Sequence, residues 1–304
     1  MTIGDNINTF AGRSVEEYDP KQGIQDPSCA QRLSWDYDNE DLSLDDILAS
    51  FFDDPKSGYV EALIFGTWEE SYDDSPQSVV DSLITNAQKL PKLSALFVGE
   101  MTFEECEISW IQQADYSRLW GVFPQLKYFQ VRGGECLKLG KITQDSLEAL
   151  VVETGGLPEE VLKDISGSQY PNLVKLELWL GVEDYGWSSN VTDLSPLLES
   201  ARLPKLKSLG LCNSEYQDEV TELILKSEIL PQLEELDLSK GIMTDKGGQA
   251  LLDSEAIKDL KRLNLAHHYM SNGMMAKLKA LDIDVNVDEQ QKDDGEYRYV
   301  AVSE

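Results

Sequence analysis

Few residues in this chain have the types and spacing that chemistry requires. The only histidines, His267 and His268, are adjacent. Neighbours on extended backbone point to opposite sides, so the two form no chelating pair, and no third His or paired Cys completes a metal set. A general-base role is open to them in principle, yet nothing nearby marks them for it. The four cysteines, Cys29, Cys106, Cys136 and Cys212, are scattered and none stands in a CxxC pair. That arrangement argues against a zinc or redox motif and fits reduced thiols packed as small hydrophobes in a cytosolic protein. The run from Gly134 through Gly140, Lys141, Ile142 and Thr143 imitates a phosphate loop. It fails because five residues separate the glycines and Ile142 follows the Lys, where a working loop needs four residues and a Ser or Thr. Asp36-Tyr37-Asp38-Asn39-Glu40-Asp41 begins like a calcium loop, but Asp41 and Ile47 occupy the positions that need Gly and Glu. No Ser–His–Asp order and no GxSxG phrase offers a nucleophile. The expectation is a protein that is not an enzyme, with no catalytic residue, no metal and no cofactor.

The dominant feature is a phrase that recurs through the chain: Leu, two residues, Leu, one residue, Leu, often with Pro two places before the first Leu. Clear copies are Leu173…Leu176…Leu178, Leu206…Leu209…Leu211 and Leu233…Leu236…Leu238, each preceded by Pro171, Pro204 or Pro231. Earlier copies are Leu93…Leu96…Val98 and Leu126…Phe129…Val131. Others begin at Val60, Leu147, Leu260 and Leu278, and successive copies are 18 to 33 residues apart. In a strand the last two apolar positions of each copy face the same way, into a core. A parallel return to the next strand needs a crossover, usually a helix. One repeat cannot bury its own leucines, so neighbours must stack.

The crossovers read as helices at Gln77–Gln88, Glu159–Ile165, Leu194–Ser200 and Asp218–Lys226. Another follows Thr244, a candidate N-cap whose place is taken by Ser271 in the next repeat. The fold class expected is α/β: a leucine-rich-repeat solenoid, a horseshoe with parallel strands on the concave face and helices on the convex face. Residues 1–57 lack the phrase and read as an N-terminal cap, with an amphipathic helix over Asp45–Phe52. Residues 58–287 hold about nine repeats. Residues 288–304 read as an acidic loop followed by a strand or tail in which Tyr297, Tyr299 and Ala301 alternate with Arg298, Val300 and Val302.

At these residues the chain resembles a family of bacterial leucine-rich-repeat proteins with ribonuclease-inhibitor-type repeats. The resemblance rests on the repeats and on FAGRSVEEYDP (Phe10–Pro20), ECEISWI (Glu105–Ile111), VRGGECLKLG (Val131–Gly140), VETGGLPEEV (Val152–Val161) and RYVAVSE (Arg298–Glu304). It implies a bacterial cytosolic protein and brings no catalytic residues. One departure concerns the Asn or Cys usual three places after the last strand leucine: Ser214, Gly241 and His268 stand there.

Function is then expected on the concave sheet, as a protein–protein interaction scaffold or regulator. The candidate partner-binding residues are Tyr128, Arg132, Glu153, Glu177, Trp179, Asp237, Asn264 and His267. Tyr128, Arg132 and Trp179 are the expected hot spots. With 26 basic and 56 acidic residues the formal charge is −30. That charge disfavours nucleic acid and membrane surfaces and attracts a basic protein. No apolar run is long enough to cross a bilayer, and Met1–Phe10 carries no secretory pattern. Two alternatives stand beside the scaffold. One is an enzyme or accessory subunit with its site at the 99–123 insertion or near His267. The other is an acidic decoy for a basic partner. Within the insertion, Trp110, Ile111 and Trp120 are expected to pack in a core. Nothing in the sequence sets the oligomeric state.

Overall fold

Each clear copy of the phrase becomes one strand, and its last two apolar residues become rungs of a core. The computed structural model describes residues 3–36, 42–292, 295 and 297–304. Tyr37 and Asp38–Asp41, part of the acidic run considered as a cation loop, lie outside these residues, as does Glu296. The chain divides into two compact units, Thr2–Leu150 and Val151–Ser303.

The unit Thr2–Leu150 carries β1 (Thr9–Phe10), β2 (Arg13–Glu17), β3 (Ala30–Leu33), β4 (Ala62–Phe65), β5 (Ala95–Val98) and β6 (Tyr128–Arg132). Strands β1 and β2 pair antiparallel, and each later neighbour pair is parallel. Two strands of this parallel run, β2 and β3, therefore precede residue 58, within the segment expected as a cap. Leu63, Leu96 and Phe129 stand in register, as do Phe65, Val98 and Val131, and all six are inaccessible to solvent. Helices α1 (Leu44–Asp53), α2 (Gln77–Thr85) and α3 (Leu119–Val122) form crossovers. Ser43 starts α1 with a reciprocal cap to Asp46, and Ile47, Leu48, Phe51 and Phe52 bury one face.

The opposite face of these strands departs from the expectation of an open surface. Ala62, Ile64, Ala95 and Phe97 form a second core with Phe10 and Ala30, and Ile7, Ala11, Val15 and Tyr128 pack against it. Phe10 lies 5.9 Å from the Phe97 ring and 5.1 Å, edge-on, from Tyr128. Strand residues of both parities are apolar here, the composition of a parallel sheet covered on both sides.

The unit Val151–Ser303 carries β8 (Lys175–Gly181), β9 (Ser208–Ser214), β10 (Glu235–Asp237), β11 (Arg262–Asn264) and β12 (Asp284–Asn286), following β7 (Ala149–Glu153) at the division. The strand order is the order of the chain, β1 to β12, in an α/β repeat architecture with a mostly parallel sheet. Leu176, Leu209, Leu236, Leu263 and Val285 form one register line. The four leucines are at most 1% exposed.

The crossovers in this unit are α4 (Glu159–Ser166), a 3-10 helix over Val191–Leu198, α5 (Gln217–Leu225), α6 (Asp245–Leu252) and α7 (Asn272–Lys279). Pro196, inside the 3-10 segment, lacks the N–H an α-helix would use. Thr244 and Ser271 cap α6 and α7 as expected. Their neighbours add to the caps: Asp218 accepts from Thr244 and Gly247, and Asp245 accepts from Ser271. An acid from one repeat thus closes the start of the next helix, where the helix dipole favours negative charge. The close approach of α6 to α7 requires glycine, because a Cβ on Gly248 would sit 2.7 Å from Met274 Cγ.

The region 297–304, expected as a strand or tail, lies in neither strand nor helix, although Val300, Ala301 and Val302 are buried. In the 99–123 insertion Ile111 and Trp120 are buried as expected, but Trp110 is 57% exposed.

Truncating a central rung tests this packing. Leu209→Ala is expected to lower stability by about 2–5 kcal/mol, measured by denaturant unfolding. Glu235→Ala, at an exposed strand position, should leave it within about 0.5 kcal/mol.

Candidate functional site

The strand positions facing away from the leucine rungs divide into covered and open ones. Tyr128 is half-buried and Arg132 is 4% exposed. The Arg132 guanidinium lies over the Phe97 ring and donates to the Met101 carbonyl. Glu153 is buried too. Trp179, expected as an exposed anchor, is 6% exposed. Its indole donates to Glu177 at 2.8 Å, and Lys240 covers its ring at 5.1 Å. Strand alternation points these residues away from the rungs and predicts them to be free. Contacts with Phe97 and Met101 cover Arg132 instead, and Lys240 covers Trp179.

The open positions lie in the unit Val151–Ser303. Lys175, Ser208, Glu235, Arg262 and Asp284 form one register line, and Glu177, Gly210, Asp237, Asn264 and Asn286 the next. Glu235, Arg262 and Asp284 are exposed, while Glu177, Asp237 and Asn264 are half-buried. A cross-strand bond, Asn264 donating to Asp237 at 2.8 Å, and an ion pair along β8, Lys175 with Glu177 at 2.9 Å, order them. Of the eight expected contact residues, this ladder brings together Glu177, Asp237 and Asn264.

His267 is buried rather than presented to a partner, and its backbone is left-handed, with φ 62°. Nδ1 lies 3.2 Å from the Gly241 carbonyl, so it is the donor there. His268 is fully buried; Nδ1 accepts from Met270 N–H, and Nε2 faces the Val287 carbonyl at 3.1 Å. At this turn position His268 thus has a structural hydrogen-bonding role. Burial holds both imidazoles below the usual pKa, so both are neutral near pH 7. Among the described residues, no group of three or more His, Cys, Asp or Glu side chains is placed to hold a metal ion, and no helix is long and apolar enough to cross a membrane.

A second site is a cleft of about 540 Å³ in the unit Thr2–Leu150, of whose lining the sequence pointed only to the 99–123 insertion that carries Glu104 and Glu105. Trp35, Trp68 and Tyr72 line it, with Glu17, Glu104 and Glu105, over the Arg32 guanidinium. Arg32 stands on β3 with its side chain only 8% exposed. Its Nε donates to Glu100 at 2.7 Å, Nη1 to Glu17 at 3.1 Å, and Nη2 to the Glu100 carbonyl at 3.1 Å. Glu100, with no exposed side-chain surface, also accepts from the Ile7 N–H at 3.0 Å and from Asn6 at 3.2 Å. The three residues, 32, 100 and 7, come from distant parts of the sequence, so no local motif announces them. Gly66 is needed where the chain passes this group, because a Cβ there would lie 2.6 Å from Arg32 Nη2.

Two carboxyls around Arg32 shift in opposite directions. Burial raises Glu17 more than Arg32 lowers it. Burial also acts to raise Glu105, but the Thr102 N–H at 2.7 Å, Asn6 and Arg32 outweigh it and hold Glu105 below the usual range. Arg32 itself is raised: burial opposes its charge, and Glu17, Glu100 and Glu105 more than offset that.

Two measurements check this network. Arg32→Ala strands the buried Glu100 carboxylate and should cost about 3–5 kcal/mol of stability, read by denaturant unfolding. Glu105, with its folded pKa depressed, contributes stability that is present above its unfolded value of about 4.3 and is lost as the pH falls through the folded one. Unfolding of Glu105→Gln should therefore lose less stability than the wild type on acidification below about pH 5.

No protein-family profile matches the sequence, and a search of curated proteins finds no match. Among solved structures, the chain is similar to a crystal structure of a protein from Bacteroides fragilis, a structural-genomics target. The two share 35% identity with a TM-score of 0.82, over 90% of this chain and 76% of the other. At that identity and coverage, the chain belongs to the same protein family as this Bacteroides fragilis protein.

Proposed function

We propose that this is a leucine-rich-repeat protein of the ribonuclease-inhibitor type, a non-enzymatic module that binds a protein partner through the open strand ladder of the unit Val151–Ser303. The observation that carries this reading is the ladder itself. Side chains of both charge signs stand in register on five successive strands, with Glu235, Arg262 and Asp284 exposed. Repeat folds offer such a surface as an extended contact, and the mixed polar chemistry suits a protein interface. Acidic side chains predominate on the ladder, through Glu177, Glu235, Asp237 and Asp284, and the whole chain carries a formal charge of −30. A basic partner segment is therefore the complement. A cytoplasmic setting fits the four unpaired cysteines.

A second reading is favoured by one observation: the Arg32 cleft, with the opposed shifts of Glu17 and Glu105. A concave site with convergent polar groups and perturbed carboxyls is a default candidate for small-molecule binding or catalysis. Glu104 and Glu105 belong to the 99–123 insertion that sequence reasoning named for such a role.

Reversing charge at two exposed ladder positions separates the readings. Glu235→Lys combined with Asp284→Lys should reduce recovery of the bound partner by about tenfold, about 1.4 kcal/mol, while the melting temperature stays unchanged. Undiminished recovery at low salt would reject the ladder as the contact, and a loss confined to Glu105→Gln would favour the cleft.

A further inference from the structure

One segment of the chain already sits on the Val151–Ser303 unit as a ligand would. Tyr297–Ser303 belongs to no strand or helix, yet Val300, Ala301 and Val302 are 6%, 7% and 4% exposed while Tyr297 and Tyr299 stay 70% and 67% exposed. Its backbone is read at three successive repeats. The Tyr269 hydroxyl accepts from the Tyr299 N–H at 2.8 Å and lies 3.2 Å from the Tyr299 carbonyl. The Lys240 carbonyl accepts from the Ala301 N–H at 2.7 Å. Asn213 uses both ends of its amide on one residue: Oδ1 accepts from the Val302 N–H at 3.0 Å, and Nδ2 donates to the Val302 carbonyl.

The receiving groups are set by the repeat rather than by the segment. Asn213, Lys240 and His267 recur at 27-residue intervals, at or just past the ends of their strands, and all have left-handed backbone, with φ of 58°, 68° and 62°. Non-glycine residues rarely adopt that conformation. Here their own N–H groups bond to the next repeat, at Ser239, Ala266 and Asp288. The bends therefore stack as a ladder along the strand ends. At Lys240 the outward carbonyl receives the segment, and at Asn213 the buried amide does so.

The Ile7–Phe10 segment of the other unit is held quite differently. It leads into the β1–β2 pair, it buries Phe10 in an aromatic core, and its Ile7 N–H bonds to a buried carboxylate. Tyr297–Ser303 has no strand pairing and buries only three small side chains. It is recognised largely through its main chain, which any extended peptide shares.

We propose that the groove along Asn213, Lys240 and Tyr269 is a binding site for an extended peptide with small aliphatic side chains, occupied within the chain by Tyr297–Ser303 until a partner segment displaces it. This rests on the reading of the same unit as a protein-binding module and adds how its binding is gated. The partner must supply a free backbone N–H and carbonyl opposite Asn213, and valine- or alanine-sized side chains at the two preceding positions. Bulky groups are admitted at the place of Tyr299.

The test uses the full chain and a fluorescent peptide of residues 297–303. Val302→Asp expels the resident segment by placing a charge in a buried position. This variant should melt close to the wild type and bind the peptide at least about tenfold more tightly than the wild type does, and adding Asn213→Ala should remove most of that gain, since the paired amide bonds are lost. In the wild type, the amides of Ala301 and Val302 should exchange hydrogen well before those of β9. A Val302→Asp protein that unfolds, together with Ala301 and Val302 amides that exchange only with global unfolding, would make the segment a structural strap and overturn the proposal. So would a folded variant that binds the peptide no better than the wild type. Peptide binding that survives Glu235→Lys with Asp284→Lys supports the groove whether or not partner capture survives, so failure of the ladder reading shows in partner capture alone.

Discussion

The line of aliphatic side chains from Leu176 through Leu209 and Leu236 to Leu263 is the constraint on which the rest of the Val151–Ser303 unit depends. A single turn of chain cannot bury its own leucines, and each is buried only because the next strand sets its own beside it. Parallel pairing in register follows, and with it the crossover on the far side. Register then fixes everything else that repeats: the polar ladder on the other face, the caps and the bends.

The caps and bends show how the repeats lock together. Asp218 closes the start of the helix that follows Thr244, and Asp245 does the same at Ser271. The left-handed bends at Asn213, Lys240 and His267 donate their N–H groups in the opposite direction, to the following repeat. Polar groups that a helix start or a turn would leave unpaired are thus satisfied by a neighbouring repeat, the preceding one at the helix starts and the following one at the bends. This is why positions with unusual backbone carry Asn, Lys and His rather than glycine alone. The tertiary bonds offset the local strain.

The Thr2–Leu150 unit uses similar strands to a different end. Its face opposite the rungs carries Ala62, Ile64, Ala95 and Phe97 and is covered by Phe10. Its charged group, Arg32 with Glu100, is buried beside the aromatic cleft. A buried ion pair of this kind adds little net stability compared with an apolar core, but it makes the position of the Ile7 backbone and of the cleft floor specific. The polar, accessible strand ladder belongs to the Val151–Ser303 unit, and the aromatic cleft to Thr2–Leu150.

The sequence by itself determined the rungs from Leu63 to Leu263 with their strands, most of the crossover helices and the caps at Thr244 and Ser271, while β1 to β3 and the Val285 rung of β12 lay outside the phrase. These follow from spacing, because alternation along a strand and periodicity along a helix are local properties of the backbone. It also showed the lack of nucleophile and metal-ligand patterns. Only the tertiary structure decided which outward positions stay open. Trp179 and Arg132 look as free in sequence as Asp237, yet Lys240 covers one and the other folds back onto Phe97 and the Met101 carbonyl. The cleft needed Glu17, Arg32, Trp68 and Glu105 to meet, and the groove needed Asn213 to meet Val302. No spacing rule encodes such meetings, because they depend on how segments far apart in the chain are carried over a sheet that must first exist.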